Sequence, residues 1–239
     1  GVNVIIDTTI DSDFKMSPEQ LESAITPKTK ALLLCSPSNP TGSVYSYEEM
    51  KALADVLQNH PGIFIISDEI YEHINFIGNH VSIAEFPEMY ERSIVVNGVS
   101  KGYAMTGWRI GFIGAPLWIA KACNKLQGQM TSGATSIAQR ASIAALEGDQ
   151  NCVLAMREAF QRRRDLVLER LAGMNKVNYN IPEGAFYVFP DFSAYFGKSY
   201  KEKIINNSTD LCLYLLEKGH IATVPGDAFG SPGNARISY

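Results

Sequence analysis

Three short apolar runs, each followed by a turn, constrain the fold of this chain more than any other feature. They cover residues 31–35, 63–66 and 94–96, and a helical pattern separates the first two. Continuous apolar runs of this length are typical of strands in a parallel sheet, because both faces of such a sheet are covered. The alternation of strands and helices therefore predicts an α/β fold with a mostly parallel, doubly wound sheet.

Local signals place a helix on either side of the first run. Ser17-Pro18 starts a helix that should reach residue 25, with Gln20 in the capping-box position three residues after Ser17. Ser46 and Glu49 form the same capping box before a second helix. This second helix carries one apolar stripe at helical spacing, formed by Met50, Leu53, Ala54 and Leu57.

The organisation of the chain is expected to change near residue 150. Residues 1–150 are predicted to form part of a large α/β domain, and residues 151–239 part of a smaller α+β domain. A long helix over residues 151–171 should connect them, with Gly173 at its end. The other predicted elements are strands over residues 2–6, 110–113, 185–189, 221–224 and 236–239, and helices from residue 116, over 136–146 and over 210–217.

The composition argues against several classes of partner. The chain has 239 residues and a formal net charge of −4, so no basic surface for nucleic acid or an anionic membrane is expected. Its basic run at residues 162–164 is interpreted as a solvated helix face. No apolar run approaches the roughly 20 residues of a membrane span, and no signal peptide opens the sequence. Four cysteines without a CxxC pair indicate reduced thiols, no metal site and a cytoplasmic location.

Polar side chains follow each of the three apolar runs. Asn39 lies in a proline-containing loop after the first run, Asp68 and Tyr71 follow the second, and Ser100 and Lys101 follow the third. Ligands of open α/β sheets bind outside the carboxyl ends of the strands. The three loops are therefore expected to converge on one crevice.

Lys101 and Arg109 indicate what that crevice binds. The sequence neighbours of Lys101 are largely apolar, and burial among them would favour an uncharged, nucleophilic amine of the kind that forms Schiff bases. Arg109 supplies a permanent, forked donor for a phosphate. A nucleophilic amine beside a phosphate clamp points to a covalently held phosphorylated aldehyde, for which pyridoxal 5'-phosphate is the candidate. The alternative, from the residues alone, is a solvated surface lysine.

Residues 100–111 read Ser-Lys-Gly-Tyr-Ala-Met-Thr-Gly-Trp-Arg-Ile-Gly. This stretch resembles the lysine-attachment signature of class I pyridoxal-phosphate-dependent aminotransferases of the aspartate aminotransferase type. The resemblance implies the fold of type I pyridoxal-phosphate enzymes, a large cofactor-binding domain followed by a small one. It also implies that the amino-terminal part of that fold and its extreme carboxyl terminus lie outside this sequence, together with a phosphate loop and a ring-stacking residue.

The resemblance assigns chemical roles to the polar residues of the three loops. Lys101 would hold the cofactor as a Schiff base and move a proton between substrate and cofactor. Asp68 would keep the pyridine nitrogen protonated, while Asn39 and Tyr71 would donate hydrogen bonds to the phenolic oxygen. Considered as isolated residues, Asp68 would cap a helix after its strand and the Asn39 loop would be an ordinary turn.

The resemblance also implies anion-binding residues. Ser100 and Arg109 would bind the cofactor phosphate, with Ser100 or backbone amides replacing a hydroxyl that some relatives carry where this chain has Gly98. Arg236 would bind the α-carboxylate of the substrate as a bidentate fork, close to Asn39. Considered alone, Arg236 is an ordinary surface arginine.

The expected function is the transfer of an amino group from an amino acid, with aspartate as the donor, to a 2-oxo acid such as 2-oxoglutarate, in a homodimer. One alternative keeps the fold and changes the donor or acceptor to an aromatic amino acid, alanine or prephenate. Another is a non-catalytic module that binds pyridoxal phosphate, or a folded but inactive piece. The residue that would read a side-chain carboxylate is not visible in the sequence.

Overall fold

The computed structural model describes residues 1–200 and 203–239. Its largest sheet contains four strands, β1 (Ala31–Cys35), β2 (Phe64–Asp68), β3 (Ser93–Gly98) and β4 (Gly111–Gly114), in the order β1-β2-β3-β4. β1 pairs with β2 and β2 with β3 in parallel, whereas β4 runs antiparallel to β3. The mostly parallel α/β sheet expected from the three apolar runs is confirmed.

Helices α1 (Pro18–Ala24) and α2 (Tyr47–Gln58) begin at the predicted capping boxes. The side chains of Ser17 and Ser46 each accept a hydrogen bond from the backbone N–H three residues later. All four residues of the predicted apolar stripe on α2 are buried, and they belong to a core cluster with residues of β1 and β2. Burial of one such leucine side chain contributes about 1.5–3 kcal/mol, so this stripe fixes α2 to its neighbours.

Three further helices follow the sheet: α3 (Leu117–Met130), α4 (Ser136–Glu147) and α5 (Asn151–Ala172). They occupy the ranges that the sequence predicted, and α5 ends at Gly173. Among the described residues, no helix combines the length and apolarity that crossing a membrane requires. The division of the chain into two domains near residue 150 stays a prediction.

The remainder of the chain forms short strands and one helix. In chain order these are β5 (Tyr187–Val188), β6 (Ser199–Tyr200), β7 (Lys203–Ile204), α6 (Ser208–Tyr214), β8 (Val224–Pro225) and β9 (Ala235–Ser238). β9 lies between β5 and β8 and is antiparallel to both, and β6 pairs with β7. Short 3₁₀ turns are formed by Ile10–Ser12, Ile83–Glu85, Tyr90–Arg92, Thr106–Trp108, Ser193–Tyr195 and Gly226–Phe229, and a π turn, Leu215–Gly219, continues α6.

Three predicted strands differ from the structure. The strand over residues 2–6 is wrong: no described strand pairs with this stretch, and its Val2 side chain is 94% exposed. The strand over residues 185–189 shrinks to β5, because Ala185 has a left-handed φ of 56° that an extended strand does not allow. The strand over residues 221–224 survives only at Val224, since the Ile221 N–H donates to the carbonyl of Leu215, the first residue of the π turn.

The segment before β5 is bonded to the loops that follow β1 and β2. The N–H groups of Glu183 and Gly184 both donate to Gly42 O, at 2.8 and 2.9 Å, and the Ala185 N–H donates to Ile74 O at 2.8 Å. A Cβ atom on Gly184 would lie 2.9 Å from the same Ile74 oxygen, so only glycine permits this close approach. β5 therefore enters beside the carboxyl ends of β1 and β2.

Candidate active site

Asp68 is the last residue of β2 and lies between two other strand ends. Its register partners are Cys35 at the end of β1 and Val96 on β3. The half-buried side chain accepts a hydrogen bond at Oδ1 from the Ile70 N–H, at 3.2 Å. A turn follows β2, so the interpretation of Asp68 as a helix cap is wrong. Among the described residues no donor contacts Oδ2, which leaves this oxygen for a ligand.

Tyr71 lies in the turn after β2 and is buried, with 3% of its surface exposed. Its hydroxyl oxygen lies 2.7 Å from the hydroxyl oxygen of Tyr187 on β5. The rings of Phe186 and Tyr187 meet the Tyr71 ring edge to face, at centroid distances of 5.5 and 5.7 Å. Burial raises the pKa of the Tyr71 hydroxyl well above its ordinary value of 10. Tyr71 therefore keeps its proton over the physiological pH range.

Lys101 is half-buried in the turn after β3 and points towards these rings. Its Nζ lies 5.7 Å from the ring centroid of Tyr71 and 5.7 Å from that of Phe186. Both distances are within the range of a cation–π contact. Within residues 1–200 and 203–239, no carboxylate oxygen lies within salt-bridge distance of this ammonium. Lys101 is thus an aromatic-lined amine without a counter-ion, unlike a solvated surface lysine.

The turn that carries Lys101 is held against the turn that carries Tyr71. A Cβ atom on Gly102 would lie 2.5 Å from the His73 ring, so the two turns approach as closely as glycine permits. The His73 and Tyr103 rings meet edge to face at 5.4 Å. This packing fixes the amine of Lys101 beside the Tyr71 ring.

Asn39 and Arg236 contact each other directly, although 197 residues separate them in the sequence. The Arg236 Nη1 donates to Asn39 Oδ1 at 2.8 Å. The guanidinium lies over the rings of Tyr187 and Phe229, with centroid distances of 4.5 and 5.3 Å. Its Nε is buried and has no hydrogen-bond partner in the part of the chain that the structure describes. A buried donor without an acceptor costs roughly 1–3 kcal/mol, so an anionic ligand at this point would stabilise the arrangement.

Ser100 and Arg109 are not brought into contact with the other predicted residues. The Arg109 side chain is exposed, and its Nη1 donates to the carbonyl of Thr106 in its own turn. Ser100 is half-buried and makes no side-chain hydrogen bond to any described residue. Their role as phosphate ligands stays a prediction.

The glycine at position 98 has a structural cause. A Cβ atom on Gly98 would lie 2.8 Å from the carbonyl oxygen of Ile110, at the antiparallel pairing of β3 with β4. A side chain here would therefore force the two strands apart. A hydroxyl side chain at this position does not fit the present strand spacing.

Two residues of this region were missed by the sequence reasoning. Tyr187, which contacts both Tyr71 and Arg236, was considered only as part of a strand. Cys35 was considered only as a buried thiol, yet its Sγ donates to Pro37 O inside the Asn39 loop. Burial raises the pKa of this thiol to about 11, and the nearby Asp68 carboxylate contributes to the rise. Cys35 is therefore a neutral neighbour of the Asn39 loop and of Asp68 at the end of β2.

A buried carboxylate next to Asp68 was also missed. Glu69 accepts hydrogen bonds from the hydroxyls of Ser67 and Ser82, at 2.8 and 2.7 Å, and its Oε2 lies 2.8 Å from His80 Nε2. Together with Glu72, Glu69 and His80 place three possible ligand atoms within 4.8 Å of one another. Hydroxyl and imidazole groups already occupy the Glu69 oxygens, so we interpret this cluster as the anchor of the loop after β2.

Comparison with known proteins covers nearly the whole chain. Residues 3–239 match the family model described as aminotransferase class I and II. The chain belongs to this family. The resemblance on residues 100–111 is thereby confirmed at the level of the family, and the type I aminotransferase fold agrees with the observed α/β sheet.

Individual aminotransferases match along almost the full chain. The aspartate aminotransferase of Pinus pinaster is 46% identical over 241 residues, which cover 99% of this chain and 49% of the pine protein. An aspartate/prephenate aminotransferase of Nitrosomonas europaea is 47% identical over 243 residues, covering 100% of this chain and 61% of that protein. The crystal structure of the Rhizobium meliloti aspartate aminotransferase matches with a TM-score of 0.93 at 46% identity, over 99% of this chain and 60% of that chain. This aminotransferase chain thus spans about half to three-fifths of the length of these relatives.

Proposed function

We propose that this chain belongs to a pyridoxal-phosphate-dependent aminotransferase that moves an amino group from aspartate to a 2-oxo acid such as 2-oxoglutarate. The observation that carries the proposal is an unbroken series of side-chain contacts across the crevice. It leads from the amine of Lys101 to Tyr71, on to Tyr187, then to Arg236 and Asn39. The amine of Lys101, the neutral phenol of Tyr71 and the guanidinium of Arg236 are thus held together by segments that are distant in sequence.

The residues of the crevice fit pyridoxal phosphate. The cofactor supplies an aldehyde that condenses with amines and a ring that accepts electrons. Among residues 1–200 and 203–239, the Lys101 amine has no counter-ion and Asp68 Oδ2 has no donor, while Tyr71 keeps a proton to donate. The Oδ1 of Asn39 is occupied by Arg236, so its amide N–H₂ group remains as a donor. Ser100 and Arg109 are proposed to bind the phosphate.

Lys101 is proposed as both the attachment point and the proton carrier. Its Nζ lies 5.7 Å from the ring centroids of Tyr71 and Phe186, and no carboxylate of the described residues lies within salt-bridge distance of it. A neutral amine can take a proton from the α-carbon of a bound amino acid and return it elsewhere. Asp68 would hold a proton on the ring nitrogen, and Tyr71 and Asn39 would donate to the phenolic oxygen.

Arg236 is proposed to bind the α-carboxylate of the substrate. Its planar guanidinium can form two parallel hydrogen bonds to a carboxylate, and its buried Nε has no acceptor among the described residues. The aromatic rings below the guanidinium limit its movement, which favours one orientation of the bound substrate. We also propose a homodimer in the cytoplasm, as the sequence reasoning expected, with the two-domain division near residue 150.

A second substrate assignment has its own support. A relative 47% identical over the whole chain is named an aspartate/prephenate aminotransferase, so prephenate is the second candidate partner for the amino group. Prephenate and aspartate each carry two carboxylates. The second carboxylate would need a cation beyond Arg236, and that contact distinguishes these substrates from alanine or an aromatic amino acid.

The test is a panel of amino donors with 2-oxoglutarate or prephenate as acceptor, using the protein in its full natural length. Aspartate should be the best donor, because its α-carboxylate would bind Arg236 and its side-chain carboxylate would bind a second cation. Lys101→Ala should abolish transfer while thermal unfolding remains close to that of the wild type. A Lys101→Ala protein that retains transfer would refute the role of the amine, and a preference for alanine would refute the aspartate assignment.

A further inference from the structure

Tyr187 contacts both Tyr71, which lies beside Lys101, and Arg236, which is proposed to bind the substrate carboxylate. Its hydroxyl oxygen lies 2.7 Å from that of Tyr71, and its ring lies under the guanidinium of Arg236 at 4.5 Å. Only 5% of Tyr187 is exposed. We infer that Tyr187 is a positioning residue, which couples the phenol of Tyr71 to the carboxylate-binding guanidinium of Arg236. The inference rests on the function proposed above.

The backbone explains why Tyr187 and Arg236 share a face. On the antiparallel pair of β5 and β9, Tyr187 is opposite Ser238 and Val188 is opposite Ile237. Residues two apart on a strand point to the same side, so Arg236 lies diagonally across from Tyr187 on one face. The sheet itself therefore places an aromatic ring under the guanidinium.

The hydroxyl oxygens of Tyr187 and Tyr71 lie 2.7 Å apart, and either group can be the donor. A buried pair of phenols forms one hydrogen bond, and one of the two hydroxyls must be its donor. When Tyr187 donates, Tyr71 accepts and its own proton is free for a ligand. The donated bond also polarises Tyr71 and strengthens its next hydrogen bond. Tyr187 thus sets how well Tyr71 acts as a donor.

The ring of Tyr187 acts on Arg236 in a different way. A guanidinium that lies on an aromatic face is held in plane and gains a cation–π attraction. Phe229 lies under the same guanidinium at 5.3 Å, so removing one ring leaves the other in place. Loss of the Tyr187 ring should therefore weaken carboxylate binding without abolishing it.

The hydroxyl is tested with Tyr187→Phe, Tyr71→Phe and the double variant, each loaded with pyridoxal phosphate. The readout is the pH midpoint of the visible absorbance of the bound cofactor. Tyr71→Phe should move this midpoint upwards, because an oxygen that loses a donor holds its proton more tightly. Tyr187→Phe should move it in the same direction by about 0.5 pH units, the size of one modest hydrogen bond. The double variant should match Tyr71→Phe alone.

The ring is tested with Tyr187→Leu on cofactor-free protein, by calorimetric titration with an unreactive dicarboxylate such as succinate. The Kd should rise about tenfold, as expected for loss of one desolvated cation–π contact. Tyr187→Phe keeps the ring and should stay within about twofold of the wild type. Circular dichroism and thermal unfolding of each variant confirm that it is folded.

Tyr45→Phe is the matched control. Tyr45 is also buried, and its hydroxyl accepts a 2.7 Å bond from the backbone of Met16 rather than from a proposed site residue. Its loss should lower the free energy of unfolding and leave both the midpoint and the Kd unchanged. An unchanged midpoint in Tyr187→Phe, shifts that add in the double variant, or an unchanged Kd in Tyr187→Leu would overturn the coupling. A wild-type protein that binds no cofactor would instead contradict the proposed function, and the titration without cofactor would still decide the role of the ring.

Discussion

Arg236→Lys keeps the positive charge of the proposed carboxylate site and removes its fork. In the structure, the guanidinium donates to Asn39 Oδ1 at 2.8 Å while its planar face lies 4.5 Å above the Tyr187 ring. A lysine ammonium is a compact charge on a flexible stem, which cannot hold the Asn39 contact and a two-pronged bond to a carboxylate together. The substitution therefore tests geometry separately from charge.

The expected size of the effect follows from these contacts. One hydrogen bond between charged groups contributes about 1.5–3 kcal/mol, and the difference in stacking on the Tyr187 ring adds about 0.5 kcal/mol. A loss of about 2–3.5 kcal/mol raises the Kd for a carboxylate ligand roughly 30- to 400-fold. The assay is calorimetric titration with succinate, followed by the KM for aspartate in the loaded enzyme. The value of kcat should fall less than the value of kcat/KM.

Arg164→Lys provides the matched control for this substitution. Arg164 also lies over an aromatic ring, that of Phe76 at 4.8 Å, and it donates to Pro182 O at 3.0 Å. It is ion-paired with Asp165 at 2.7 Å, so it is not available to a substrate. Its replacement should leave the Kd within about twofold. If the Kd of Arg236→Lys also stays within twofold of the wild type, Arg236 does not bind the carboxylate.

Two further predictions concern stability. Glu69→Gln should lower the free energy of unfolding, measured in urea, by about 2–4 kcal/mol, because an amide N–H₂ group cannot accept the hydrogen bonds that the hydroxyls of Ser67 and Ser82 donate. The control is Glu72→Gln at a half-buried position, which should change the free energy of unfolding by about 0.5 kcal/mol. Equal losses in the two variants would contradict the anchor role of Glu69. Burial raises the pKa of the Cys35 thiol from 9.0 to about 11, so the unfolded chain loses this proton first as the pH rises. Stability should consequently fall between pH 9 and 11, with Cys35 accounting for about 1.4 kcal/mol between pH 8 and 10. Cys35→Ala should remove that share of the loss, and an unchanged pH profile would show that the thiol ionises in the folded protein.

Elements with local signals were predictable from the sequence. β1 and α2 are examples, since a short apolar run and a Ser46–Glu49 capping box determine their positions without distant contacts. The same holds for Lys101, whose position after a strand and among apolar neighbours follows from adjacent residues. These features were predictable because adjacent residues in the sequence determine them.

Elements that depend on distant partners were harder to predict. Residues 2–6 have a strand-like pattern, but a strand requires a neighbour and no described strand pairs with them. Tyr187 meets Tyr71 across 116 residues of chain, and Asn39 meets Arg236 across 197. The latter pair was anticipated only through the family resemblance. The Glu69 anchor joins residues from two turns, and no spacing in the sequence indicates it.

The amine of Lys101 is proposed to attach pyridoxal phosphate in this crevice. The most direct test is to load the protein with the cofactor, reduce it with borohydride and identify the modified peptide by mass spectrometry. We expect one modified residue, Lys101, and no stable label in Lys101→Ala. A label on another lysine, or equal labelling of wild type and Lys101→Ala, would contradict this attachment.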